Sequence, residues 1–224
     1  MKGFKDRIIH NTYLRWILLF SNWLFQGIIH ADKTEKIYKI HFTLTFSVGF
    51  YFLLKYAFNI PVVWAVLFGF ILGHTFNWFA NGSFYAILVH RLLISKLNKE
   101  RLFIYLDKLI NRLEEKNFIL YCASFGSICR GALKDSSDID VSLVRKPGFI
   151  NSFKALYFIF NEKKLADLYG IPLEIFLSDS PENSKKRFGS EHNPVVIYDP
   201  ENNLNKHYSE TLTLANAKKI NGIT

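Results

Sequence analysis

Residues 125–141 read FGSICRGALKDSSDIDV, and the fold is decided here. Gly126-Ser127 follows an apolar run, Arg130-Gly131 comes one turn later, and the stretch closes on Asp138-Ile139-Asp140-Val141. This pattern predicts a strand ending in a tight turn, a helix start, a loop, and a second strand. A glycine at the turn lets the backbone pass close to a ligand. Ser127 and the amides after it stand where a helix N-terminus would hold phosphate. Asp138 and Asp140 are two apart, so a strand turns both carboxylates to one face. Neighbouring carboxylates repel unless a cation neutralises them. Mg²⁺ is the usual hard cation for such a pair together with substrate phosphates.

Gly-Ser, Arg-Gly and Asp-x-Asp at this spacing resemble the nucleotidyltransferase superfamily that includes DNA polymerase beta and the MNT-type minimal nucleotidyltransferases. The resemblance spans roughly residues 100–200 and nothing before them. The family carries a third carboxylate on a neighbouring strand, and Glu174 in Pro172-Leu173-Glu174-Ile175-Phe176-Leu177 matches it. The resemblance implies an α+β nucleotidyltransferase domain, a small mixed sheet with flanking helices, over residues 98–224. It implies Asp138, Asp140 and Glu174 as catalytic residues and metal ligands for two Mg²⁺ ions, with Mn²⁺ as a substitute. Glu174 is also the implied general base. Gly126, Ser127 and Arg130 would bind the nucleotide, ATP or CTP. The implied reaction moves NMP from an NTP to a hydroxyl or phosphate and releases pyrophosphate.

Two other functions fit the same residues. One is a regulatory, antitoxin-like MNT-type protein that binds or nucleotidylates a partner protein. The intact Asp-x-Asp with Glu174 weighs against a vestigial site. The other is a template-free polymerase or RNA-modifying enzyme. No added nucleic-acid module is legible, so nucleic acid is not an expected partner.

The bulk composition points to a membrane. Of 224 residues, 50% are hydrophobic and 17% aromatic, high for a soluble domain, and the formal charge is +9. A basic balance suits nucleic acid, anionic lipid or phosphate-rich substrates. A membrane protein with positive cytoplasmic flanks accounts for both features. Cys122 and Cys129 are the two cysteines, too few for a zinc site and consistent with a reducing compartment.

Residues 8–29 are a mostly apolar run interrupted by Asn11, Arg15, Asn22 and Gln26, with His30 following, and these five recur on one helical face. That predicts an amphipathic helix lying in the membrane interface. Residues 41–58 carry only Lys55 as a charge, Asn59-Ile60-Pro61 punctuates, and residues 62–89 carry no Asp, Glu, Lys or Arg. A span needs about 20 apolar residues, so a transmembrane hairpin is predicted near 40–58 and 61–82, its second helix continuing to about residue 97. Residues 1–97 thus form a membrane region. Lys and Arg lie before residue 41 and after residue 90, which predicts both ends, and the catalytic domain, on the cytoplasmic side of the cell membrane. Gly69, Gly73 and Asn77 recur every fourth residue, with His74 and Asn81 beside them. His74, Asn77 and Asn81 read equally as hairpin-packing groups and as a polar groove for a lipid or lipid-linked acceptor.

The remaining elements follow from periodicity and caps. A helix over 98–116 buries one face, strands are predicted at 117–124, 139–144, 171–177 and 194–198, and a helix runs over 149–168 with Gly170 as its cap. Residues 179–193 read as polar and basic, with no element assigned. Lys154, Lys163 and Lys164 read as a solvated helix face.

Overall fold

The computed structural model describes residues 12–91, 95–189 and 193–223. Two compact units make up the chain, Met1–Gly82 and Ser83–Thr224.

The first unit is helical. Helix α1 is Thr12–Phe25, α2 is Lys33–Phe52 extended by a π-helical turn at Leu53–Ala57, and α3 is Val62–Asn81. Lys33–Ala57 and Val62–Asn81 are long and apolar enough to cross a membrane by length and composition. The helices of this pair approach closely because glycines face a backbone. A Cβ added to Gly69 would stand 3.0 Å from the Tyr51 amide nitrogen, and one on Gly73 would stand 2.5 Å from that of Ser47. Gly73→Val should therefore separate α2 from α3 and lower hairpin stability by about 2 kcal/mol, the ordinary cost of overpacking. Gly49 has open space at its Cβ. Gly49→Ala should gain about 1 kcal/mol from helix propensity. Unfolding midpoints of the full chain in detergent micelles check both, and equal loss in the two variants would refute the packing account.

Several polar side chains of this unit face inward. Asn77 is fully buried, and its Nδ2 donates to Thr43 Oγ1 and to Gln26 Oε1, each at 2.8 Å. Asn81 donates to Asn77 Oδ1 at 2.6 Å, His74 Nε2 lies 2.9 Å from the Trp23 carbonyl, and Trp78 Nε1 donates to Asn22 Oδ1 at 2.8 Å. The sequence placed the Asn/Gln stripe of α1 toward headgroups. In the structure Asn22 and Gln26 turn to α3, while Tyr13, Trp16, Ile17 and Phe20 point outward. Hydrogen-bonded polar groups between the helices, with apolar side chains outside, are the arrangement hydrocarbon favours. Residues 8–11 of the expected helix lie outside the described residues.

The helix expected to run on to residue 97 stops at Asn81. Gly82 follows as its C-cap, donating to the Trp78 carbonyl. A single turn at Phe84–Ala86 and a π-helical turn at Ile87–Arg91 come next, and residues 92–94 are not described. The division between units falls at residue 82 rather than 97. The physical reason is Asp167, whose carboxylate accepts the amides of Phe84 and Tyr85 and so ties this segment into the second unit.

The second unit is α+β. Helix α4 is Lys99–Glu114, β1 is Ile119–Phe125, β2 is Ile139–Arg145, α5 is Phe149–Tyr169 and β3 is Leu173–Ser178. Helix α6 is Pro181–Phe188, β4 is Val195–Tyr198, β5 is Leu212–Thr213 and α7 is Leu214–Ile220. The five strands form one mixed sheet in the order β3-β2-β1-β4-β5. β1 pairs antiparallel with β2 and β4, whereas β2–β3 and β4–β5 are parallel. Caps set the helices: Asn98 accepts the Arg101 amide to start α4, and Gly170, at φ 66°, ends α5. Leu102, Phe103, Leu106, Leu109 and Leu113 bury one face of α4, as their spacing predicts.

Candidate metal and nucleotide site

Strand register brings the acids together. Phe125 pairs with Asp140, and Asp140 with Glu174, so all three residues share one face of the sheet. Parallel pairing of β2 and β3 is fixed at its start by the Ile139 amide donating to the Pro172 carbonyl at 2.8 Å. Asp138 enters just before β2. One carboxylate oxygen from each of Asp138, Asp140 and Glu174 lies within 4.8 Å of the others, and all three residues are half-buried. Three hard oxygen donors in a space of this size suit one or two small divalent cations, and Mg²⁺ is the common one.

Gly126 completes the cradle. Its φ is 84°, a conformation that L side chains rarely adopt, and a Cβ there would stand 3.6 Å from Asp140 Oδ2. Glycine thus keeps the backbone beside the carboxylate without a side chain in the way. The expected helix start after it is instead a single 3₁₀ turn, Gly126–Arg130. Five residues are too few to build a helix dipole, so any phosphate held here would rest on Ser127 and individual amides. The half-buried Ser127 uses its carbonyl to receive the Gly131 and Ala132 amides. Arg130 ends the turn with its side chain exposed. Gly131 has its own structural cause: φ is 63°, and a Cβ would lie 2.6 Å from the Ile220 carbonyl oxygen.

The other acids considered from sequence have different partners. Asp179, at the far end of β3, pairs with Arg145 Nη2 at 3.1 Å. Asp167 holds the Phe84 and Tyr85 amides. Both cysteines are buried and poor thiolates: burial pushes Cys129 up to about 11 and Cys122 higher still.

Helix α6 adds residues the sequence reading missed. Phe188 stacks on Phe125 with ring centroids 4.4 Å apart, and the Arg187 guanidinium lies 3.9 Å from the centroid of Phe176. Phe176 is two residues beyond Glu174, on the same side of β3. A cation is therefore anchored on the sheet face that carries the acids. The signal was present in Ser180-Pro181-Glu182, an N-cap, an N1 proline and a first-turn acid, and Ser180 does accept the Asn183 amide.

No protein-family model matches the chain, and no curated protein matches it.

Proposed function

We propose that the protein is a membrane-anchored, Mg²⁺-dependent nucleotidyltransferase of the polymerase beta-like, MNT-type class. It would pass NMP from an NTP to a hydroxyl or phosphate of a membrane-associated acceptor. The observation that carries this reading is the trio Asp138, Asp140 and Glu174 with the Gly126 turn against Asp140. The two apolar helices supply the membrane part.

In this reading Asp138, Asp140 and Glu174 hold Mg²⁺, which supplies charge neutralisation and orientation of the triphosphate. Ser127 and its neighbouring amides grip the β- and γ-phosphates, and Arg130 would neutralise them. An acceptor oxygen attacks the α-phosphorus. The bond from that phosphorus to the oxygen bridging to the β-phosphorus breaks, and pyrophosphate leaves. Where the acceptor is a hydroxyl, its proton passes to the Glu174 carboxylate. The cytoplasmic placement of this unit and the multi-pass anchor belong to the same proposal, resting on the distribution of Lys and Arg around the hairpin.

The test is one incubation of the full chain in detergent with Mg²⁺, each α-labelled NTP in turn, and a total lipid extract. Label from one nucleotide is expected to enter the organic phase, with pyrophosphate released and EDTA abolishing both. Label that stays in the NTP with every nucleotide would refute the enzyme reading. Label that moves only to a protein band would favour the antitoxin-like alternative.

A further inference from the structure

Helix α5 is apolar on both sides. Its inner side, with Ala155, Leu156, Phe158, Ile159 and Ala166, is buried and packs on the sheet. Its outer side carries Phe149, Ile150, Phe153, Tyr157 and Leu168, between 55% and 81% exposed. Phe149, Phe153 and Tyr157 fall at i, i+4 and i+8, so they form one stripe. A contiguous exposed patch of this kind marks an interaction surface, unlike scattered single residues. Lysines border and interrupt it: Lys154, Lys163 and Lys164, of which Lys164 lies 3.5 Å from the Asp167 carboxylate. The acids of α5 are withdrawn from that side, because Glu162 is buried and Asp167 is engaged by the Phe84 and Tyr85 amides.

A cavity of about 460 Å³ lies between α4 and the last turns of α5, on the side where Leu168 is exposed. Leu168, Tyr169 and Ile104 bring exposed apolar surface to it, and Arg101 and Lys108 bring positive charge. The Lys108 ammonium lies 5.9 Å from the Tyr169 ring centroid. Apolar walls with paired cations fit an anionic headgroup at the top of an acyl chain.

We propose that the outer side of α5 and this cavity form a docking surface for an anionic phospholipid bilayer, the cavity taking a phosphate-bearing headgroup. Aromatic side chains between lysines are the composition of a membrane interface. A second copy of the chain is the rival occupant. A two-fold contact through this stripe would set Lys154 of one copy near that of the other, which like-charge repulsion opposes. The bilayer is supplied by the chain itself: Lys33–Ala57 and Val62–Asn81 can each cross one, and only Gly82 and Ser83 separate the second from the Phe84 turn that Asp167 holds to α5. The proposal rests on the membrane reading of those helices and is independent of the acid trio.

The test uses the full chain carrying Tyr157→Cys, labelled with a nitrobenzoxadiazole dye. The native thiols are buried and slow to label. Reconstitution is into phosphatidylcholine vesicles with and without phosphatidylglycerol, each containing doxyl-labelled lipid as quencher. Flotation of the protein with the vesicles reports the hairpin; quenching at position 157 reports α5. Strong quenching is expected with phosphatidylglycerol present, against little at a control label on Lys186→Cys of α6. Adding Lys154→Glu should cut the docked-to-free ratio roughly tenfold. Flotation without quenching at position 157 overturns the docking surface while leaving the hairpin intact. Quenching that needs no doxyl lipid and grows with protein-to-lipid ratio identifies a second copy and overturns it as well. A chain that does not float removes the bilayer as occupant, and the proposal with it.

Discussion

Asp140→Asn is expected to lower Mg²⁺-dependent nucleotidyl transfer by ~10³-fold, about 4 kcal/mol of lost transition-state stabilisation, with the sheet still folded. Asp140 sits in the second position of β2, paired with Phe125 on one side and Glu174 on the other. The amide is nearly isosteric with the carboxylate, so the packing of β1, β2 and β3 survives. What is lost is a negative oxygen in a group of three. Removing it also relieves repulsion in the metal-free protein, so the variant's unfolding midpoint without Mg²⁺ should match or exceed that of the parent. Added Mg²⁺ should raise the parent's midpoint by binding the folded state alone, and should leave the variant's unchanged. Glu174→Gln should behave in the same way. Asp179→Asn should keep its transfer rate, because Asp179 serves Arg145, and should lose only about 1–3 kcal/mol of stability from a charged hydrogen bond. An inactive Asp179 variant beside an active Glu174 variant would reassign the third ligand. A normal rate in Asp140→Asn would end the metal reading altogether.

The order of elements in the second unit was legible because each carried a local signal. Alternation and apolar runs marked β1 to β4, Asn98 and Gly170 marked helix ends, and a lone acid in Leu173-Glu174-Ile175 stood out on a buried strand. The trio was legible through spacing and resemblance, but its closeness depends on β2 and β3 pairing in register, which is a non-local fact. Helix α6 escaped although its cap was visible, since Pro181–Phe188 has too few apolar residues to show a period. The direction of α1 was misread for a different reason. A polar stripe on an apolar helix can face water or other polar groups, and only the partners Trp78, Asn77 and His74 decide which. The stripe on α5 was hidden by excess: with apolar residues all round, no period separates the buried side from the exposed one. Its lysines read as an ordinary solvated face.

Arg112→Leu is expected to destabilise the second unit by about 3–5 kcal/mol, the cost of leaving a buried charge without its partner. Glu162 lies on the inner side of α5, only 3% exposed. Arg112 of α4 meets it with two bonds, Nε to Oε1 at 2.6 Å and Nη2 to Oε2 at 2.8 Å. Tyr105 donates its hydroxyl to Oε2 at 2.7 Å. Burial pulls the guanidinium down, and the Glu162 carboxylate more than offsets it, so Arg112 stays above its ordinary value. Burial, with the same carboxylate behind it, pushes the Tyr105 hydroxyl well up, so it remains a donor. Without Arg112 the buried carboxylate keeps only the Tyr105 hydroxyl of these two side-chain partners. Adding Glu162→Leu removes the orphaned charge and should recover most of the loss. Chemical unfolding of the three forms at neutral pH measures this. A double variant no more stable than Arg112→Leu alone would mean that Arg112 acts through its packing in the cavity wall, where it and Tyr105 also lie, and not through Glu162.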